Sequence, residues 1–81
     1  MVLRWASEDG RRHTAGMSLP GAGEVRATAE AHGETGCEWH VWDTLHRVPL
    51  RQGAAETLAG AKAAAGRAAV EVADALVRRA A

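Results

Sequence analysis

The feature that most constrains the fold is an alanine-rich stretch, residues 58–77, in which apolar side chains recur every three or four positions. This spacing places them on one side of an α-helix. The members of this stripe are Leu58, Ala61, Ala65, Ala68, Val72, Ala75 and Leu76. Thr57 is the best N-cap candidate, because its hydroxyl can accept a hydrogen bond from an unpaired N–H of the first turn. We predict one long helix of about 22 residues, spanning roughly 33 Å.

Two segments before the helix show the alternation of apolar and polar residues that is typical of strands. In residues 24–31, valine and alanine occupy every second position, and charged residues or threonine occupy the others. In residues 37–43, Cys37, Trp39 and Val41 would share one face. Because alternate side chains of a strand point to opposite faces, each segment predicts a strand with one buried face.

Weaker signals predict further strands on either side of these two. Residues 2–7 predict a strand, and Asp9-Gly10 is a strong turn signal that favours a hairpin returning through residues 11–15. Residues 17–23 contain one proline and two glycines, which predicts a loop. Residues 48–52 predict a strand, and its Pro49 lacks a ladder donor, so this strand should lie at an edge or carry a bulge.

Together these elements predict an α+β domain: an antiparallel β-sheet of three to five strands with one long C-terminal α-helix packed on one face. Residues 1–81 are sufficient for a single domain. The helix should also extend beyond the strands that it covers, since a five-residue strand spans only about 17 Å. Alanine supplies 19 of the 38 hydrophobic residues, so the core has little apolar area. Such a thin core favours self-association.

The cysteine content and the absence of long apolar segments indicate a cytoplasmic protein. Cys37 is the single cysteine, so it cannot form an internal disulfide, as is usual in a reducing compartment. No apolar stretch approaches the length of a signal-peptide core or of a membrane span. We therefore expect a cytoplasmic location and no membrane association.

Four residues invite a metal-site interpretation: His32, Cys37, His40 and His46. A structural zinc site needs ligands that converge, whereas Cys37 and His40 are three positions apart on a predicted strand and so point to opposite faces. The same geometry argues against a thiolate–imidazole catalytic pair. The glycines of residues 21–23 do not complete a dinucleotide loop, because a strand follows where that fold needs a helix. We expect no metal, no cofactor and no enzymatic activity.

The two tryptophans of the 37–43 strand point in opposite directions. Trp39 should lie on the face that the helix covers, and Trp42 should lie on the other face among polar residues. An exposed tryptophan in such surroundings is typical of an interface anchor. The alternative is that the N-terminal segment, with Leu3 and Met17, folds over Trp42 and buries it.

Five residues are our candidates for binding a partner. Trp42, His40 and Arg26 would form a patch on the uncovered sheet face, whereas Val70 and Val77 lie beside the apolar stripe near the end of the helix. A twofold pairing would cover the same patch on both copies at once. We therefore expect a homodimer that uses either Trp42 or the end of the helix.

A nucleic-acid-binding protein is the alternative. A sheet followed by an Ala-rich helix resembles the second half of a double-stranded-RNA-binding domain. That resemblance implies lysines clustered at the start of the final helix to hold phosphates. This chain has Lys62 alone there, beside Glu56, and its formal net charge is zero. Without a positive balance, the release of counterions that dominates such binding is weak, so nucleic acid is an unfavoured partner.

The chain also resembles small sheet-plus-C-terminal-helix proteins of actinobacterial and actinobacteriophage genomes. The resemblance rests on the tryptophans of residues 39–43, the Gly-Ala-Ala-Glu-Thr-Leu run of residues 53–58, and the Ala-Lys-Ala-Ala run of residues 61–64. It implies a bacterial or phage source and carries over no functional residue. The sequence thus favours a small non-enzymatic interaction protein that self-associates and binds a host or cellular protein, such as a phage-encoded host-interaction factor.

Overall fold

A computed structural model describes residues 4–19, 23–33, 36–43 and 49–80, with five strands and one helix. The elements are β1 (Arg4–Ser7), β2 (Arg12–Leu19), β3 (Gly23–Ala31), β4 (Cys37–Asp43), β5 (Arg51–Ala55) and α1 (Leu58–Ala80). The strands form one antiparallel sheet in the order β1-β2-β3-β4-β5. Because α1 packs mainly on β3 and β4, the predicted α+β architecture is confirmed.

The β1–β2 hairpin turns at Asp9 and Gly10, as the sequence predicts. The Asp9 carboxylate accepts hydrogen bonds from the N–H groups of Arg11 and Arg12 at 2.9 and 3.0 Å. Gly10 has a φ of 82°, a conformation that glycine adopts without steric cost. Asp9 and Gly10, the two central residues of the turn, are therefore sufficient to explain why the chain turns here.

Strand β2 continues further than the sequence suggests. The predicted loop of residues 17–23 is wrong at both ends. Residues 17–19 belong to β2, because Met17 and Leu19 alternate with Ser18 and are buried in the core, and Gly23 begins β3; residues 20–22 lie outside the described ranges. Met17 therefore lies on the helix side of the sheet and does not cover Trp42. Leu3, the other residue of that alternative, lies outside the described residues.

The fifth strand lies at the predicted edge but begins later in the chain. Residues 48–52 were expected to form it, whereas β5 is Arg51–Ala55 and Pro49 precedes it; residue 48 lies outside the described ranges. Gly53 pairs with Trp39 and the following residues pair with the start of β4. The predicted start of this strand is wrong because the residues that become extended are those that pair with β4. The local sequence does not show this pairing.

Helix α1 begins where the sequence places it. The Thr57 hydroxyl oxygen accepts a hydrogen bond from the Gly60 N–H at 3.0 Å, which confirms the N-cap. Most of the predicted stripe is buried, but Ala75 is exposed, and Ala69 and Ala73 are fully buried in its place. With 3.6 residues per turn, Ala69 and Ala73 lie on the same side of the helix as Ala65 and Val72, whereas Ala75 lies at the edge of that side.

The core lies between α1 and the inner face of the sheet. Val25 and Val41 are its largest fully buried side chains, and alanines of β3 and of the helix surround them together with Met17, Leu19 and Val72. Strands β2 and β3 are eight and nine residues long, at least 25 Å each. The helix therefore extends less far beyond its sheet than five-residue strands would have allowed.

Candidate functional site

The sheet face that points away from α1 is the candidate functional site, and we refer to it as the open face. No helix or strand of the described ranges packs over it. Its side chains come from alternate positions of all five strands: Arg4, Ala6, Arg12, Thr14, Gly16, Ser18, Glu24, Arg26, Thr28, Glu30, Glu38, His40, Trp42, Gln52 and Ala54. The antiparallel register arranges these residues in rows that cross the strands.

An uncharged row crosses the middle of the open face, and we call it the central row. It consists of Ala6, Thr14, Thr28, His40 and Gln52, which the register places side by side on consecutive strands. Thr28, at the centre, retains only 8% of its exposure. The middle of the face is therefore closely packed even though no element covers it.

On one side of the central row is the Trp42 row, which contains Arg4, Gly16, Arg26 and Trp42. Trp42 is half-buried, and its ring lies 6.0 Å from that of His40, tilted by 33°. The structure thus brings Trp42, His40 and Arg26 together, as the sequence predicts. Their arrangement offers an aromatic pair beside a guanidinium group.

On the other side is the Glu30 row, which contains Arg12, Glu30, Glu38 and Ala54. Glu8 adjoins it at the end of β1, where its N–H donates to the Arg12 carbonyl at 2.9 Å. Two of the four members of this row are glutamates, whereas the two charged members of the Trp42 row are arginines. The open face therefore carries a sign difference from one side of the central row to the other.

Among the described residues, the open face contains two shallow hollows that bear on its function. The first, of about 370 Å³, lies over Gly16 between Arg4 and Arg26. The Glu24 carboxylate leans over it, since a Cβ built on Gly16 would lie 3.1 Å from Oε1 of Glu24. The second, of about 390 Å³, is lined by Glu38, His40, Gln52, Gly53 and Ala54. Each hollow exists because glycine or alanine stands where a longer side chain would fill it.

The ion pairs within this face are weak. Arg26 and Glu24 are 3.4 Å apart, and Arg12 and Glu8 are 3.8 Å apart, with all four side chains at least one-third exposed. Exposed pairs of this kind contribute little to stability. These groups can therefore exchange their present contacts for contacts with a partner at small cost.

Val70 and Val77 do not join this site. Both lie on the solvent side of α1, each 43% exposed, whereas the open face is on the far side of the sheet. Asp74 lies between them on the helix and pairs with Arg78 at 3.1 Å. The five partner-binding candidates thus form two separate surfaces, on opposite sides of the molecule.

The metal and nucleophile candidates are dispersed. Cys37 is buried on the helix side of β4, and His40 lies on the open face. His32 approaches Glu38 at 3.6 Å, and His46 lies outside the described residues. No group of three metal-ligating side chains is found within the described ranges.

Two features of the structure were not predicted from the sequence. Trp5 packs against both core clusters from β1, and the Lys62 ammonium lies 5.6 Å from the centre of its ring. Lys62 is thus directed to the helix side of the sheet. A cleft of about 320 Å³ also opens beside Asp43 and Arg51, against the last turns of α1. The alternation of Leu3 and Trp5 could have indicated an inward-facing Trp5, but the cleft depends on long-range pairing.

A comparison with protein-family models, curated proteins and solved structures found no match to the chain. No helix within the described ranges combines the length and the apolar content that a membrane span needs.

Proposed function

We propose that this chain is a small, non-enzymatic, cytoplasmic interaction protein that self-associates and binds a protein partner through its open face. The observation that supports this most is the half-buried Trp42, which lies beside the His40 ring and opposite Arg26 on a sheet face that no described element covers. Tryptophan and arginine are among the residues most enriched where protein interfaces concentrate their binding energy. A phage-encoded factor that binds a host protein is the biological role that we propose.

The chemistry of the open face fits protein binding better than catalysis. Its centre is an uncharged row and its charges lie to either side, which resembles the division of an interface into a desolvated core and a polar rim. A nucleophile, an orienting base and a site for a reacting oxyanion would all be needed for acyl-transfer catalysis. The described residues bring no such set together.

Nucleic-acid binding is the second candidate, because the rings of His40 and Trp42 on an exposed sheet beside Arg26 could stack unpaired bases. The charge of the face argues against it. Three arginines (Arg4, Arg12 and Arg26) are balanced by three glutamates (Glu24, Glu30 and Glu38). Lys62, the lysine near the helix start, lies over the Trp5 ring on the other side of the sheet.

Sedimentation velocity and a gel shift with single-stranded and double-stranded RNA, each at two salt concentrations, test these proposals. We expect the wild type to sediment above its monomer mass of 8.5 kDa at high micromolar concentration, and Trp42→Ala to move it toward the monomer. Val77→Glu applies the same measurement to the exposed surface of α1, and we expect it to leave the sedimentation unchanged. A gel shift that Trp42→Ala abolishes and that weakens steeply with salt would instead establish the second candidate.

A further inference from the structure

The charged residues of the open face are arranged symmetrically about the central row, and this symmetry favours self-association. Arg26 and Glu30 lie on β3 at equal distances on either side of Thr28, and Arg4 and Glu8 lie likewise on either side of Ala6. In both cases the arginine is on the Trp42 side and the glutamate is on the other side. The central row is therefore a line across which the sign of charge reverses on β3, and on β1 together with the adjoining Glu8.

A twofold axis along this line pairs each arginine with a glutamate. We propose that the partner of the open face is a second copy of this chain, packed face to face across a twofold axis parallel to the central row. The strands of the two sheets then run in opposite directions. Arg26 of each copy meets Glu30 of the other, and Arg4 meets Glu8. A twofold axis along β3 would instead place each row against itself, with Arg26 against Arg26 and Glu30 against Glu30.

The two hollows support the same arrangement. Under this axis, Trp42 lies over Glu38 of the second copy and enters the hollow that Ala54 leaves open beside it. Arg12 lies over Gly16 of the second copy and enters the other hollow, where the Glu24 carboxylate faces it. Each long side chain of one copy thus meets a depression in the other, and the guanidinium of Arg12 meets a carboxylate.

The size of the face limits the strength of this dimer. Five strands about 4.8 Å apart and three rows about 6.8 Å apart cover on the order of 500 Å². Two copies would bury about 1,000 Å², which is the lower end for a specific interface. Two sheets pack about 10 Å apart with their strands within about 30° of each other. The dimer should therefore be weak, with a dissociation constant in the micromolar range.

The exposed valines of α1 are the competing surface. Val70 and Val77 lie seven residues apart and so face the same way, but Glu71 and the Asp74–Arg78 ion pair stand among them. Nothing in the structure shows what covers this part of the helix. We therefore treat a helix-mediated dimer as an outcome of the test.

Charge reversal tests the axis directly. Arg26→Glu places two pairs of glutamates in contact across the proposed twofold, and Glu30→Arg places two pairs of arginines in contact. Each variant alone should weaken the dimer about tenfold or more. An equimolar mixture of the two restores both contacts, so the heterodimer should form with an affinity close to that of the wild type. Sedimentation equilibrium of each variant and of the mixture measures this.

The control is a second charge pair away from the face. Arg78→Glu and Asp74→Arg reverse the exposed ion pair of α1, and we expect neither to change the dimer. Circular dichroism of the four variants verifies folding, and Gln substitutions at positions 26 and 30 serve as milder replacements if a reversed variant fails to fold. A smaller loss of affinity in both Gln variants would then support the contact.

This inference rests on the proposed function, and different experimental results would overturn each of them. Weakening by Trp42→Ala without any effect of the reversals would retain the proposed function and overturn this axis. The same holds if the reversals weaken the dimer but the mixture does not restore it. A dimer that only Val70→Glu and Val77→Glu dissociate would place the interface on the helix. A wild type that remains monomeric at several hundred micromolar would remove self-association, and Trp42 would then serve another partner.

Discussion

The indole of Trp39 lies against the backbone of Gly53, its partner on the neighbouring strand. A Cβ built on Gly53 would be 2.6 Å from Cζ2 and 2.8 Å from Nε1 of the indole. Trp39 also packs against both core clusters. The missing side chain at position 53 therefore makes the space in which a tryptophan can join the two parts of a core that is otherwise mostly alanine.

We expect Gly53→Ala to destabilise the fold by about 1–3 kcal/mol, because the methyl group overpacks against the indole. This sign is opposite to the ordinary preference, since alanine is favoured over glycine in a strand by roughly 0.5–1 kcal/mol. Gly16→Ala is the control: its new methyl group meets only the movable end of Glu24, so we expect no loss. Urea unfolding of dilute protein measures both. Stabilisation by Gly53→Ala would show that Trp39 does not rest on this residue.

A second prediction concerns the contact between α1 and the sheet. Ala65 is fully buried against the strands, and Ala65→Leu should cost about 1–3 kcal/mol because the close approach of the two elements leaves no room for a larger side chain. Ala63→Leu introduces the same side chain at an exposed position of the helix and should be nearly neutral. Equal unfolding free energies for the two variants would place the helix in a different rotation.

Periodicity was sufficient to predict the elements whose sides are chemically distinct. The alternation of residues 24–31 and 37–43, and the helical stripe that begins after Thr57, are properties of a few neighbouring residues and are confirmed. The end of β2 and the start of β5 are not confirmed, because each is set by pairing with a neighbouring strand, which the residues of the segment itself do not reveal. The expected burial of Ala75 was wrong for a similar reason. The sequence does not show whether an alanine at the edge of an apolar stripe faces the core or the solvent.

The candidate site, like the fold, could be predicted only in part from the sequence. That Trp42 faces away from Trp39 follows from strand geometry alone, and the register confirms that Arg26 is its cross-strand neighbour. Arg26 and Glu30 lie on opposite sides of the central row, and so do Gly16 and Arg12. This row exists only once the five strands are aligned. The rows of the open face therefore required the structure, although every residue in them is visible in the sequence.

A third prediction concerns metal ions. Cys37 is buried on the helix side of β4 and His40 lies on the open face, so the two cannot hold one ion. We expect the melting temperature to be the same with EDTA, with added zinc and without either. His40→Ala should leave that result unchanged. A rise in melting temperature with one equivalent of zinc, lost in His40→Ala, would reveal a site that we have not recognised.

The final prediction concerns the pH dependence of the β1–β2 hairpin. The N–H groups of Arg11 and then Arg12 donate to the Asp9 carboxylate and hold its pKa below the ordinary value of 3.8, since both bonds favour the charged form. The folded state thus binds the proton less readily than the unfolded chain. The resulting stabilisation is complete above the ordinary pKa and is lost as pH falls through the lower, folded-state pKa.

Two variants separate the charge of Asp9 from its role as an acceptor. Asp9→Asn retains an acceptor oxygen without the charge, so it should be less stable than the wild type at pH 7, and this difference should narrow as the pH falls below 3.8 and through the lower, folded-state pKa of Asp9. Asp9→Ala lacks the acceptor and should be the least stable at every pH, because the turn N–H groups then depend on water. Urea unfolding at pH 7, 5, 3.5 and 2.5 follows both differences. A gap between wild type and Asp9→Asn that stays constant down to pH 2.5 would mean that the carboxylate charge does not stabilise this turn.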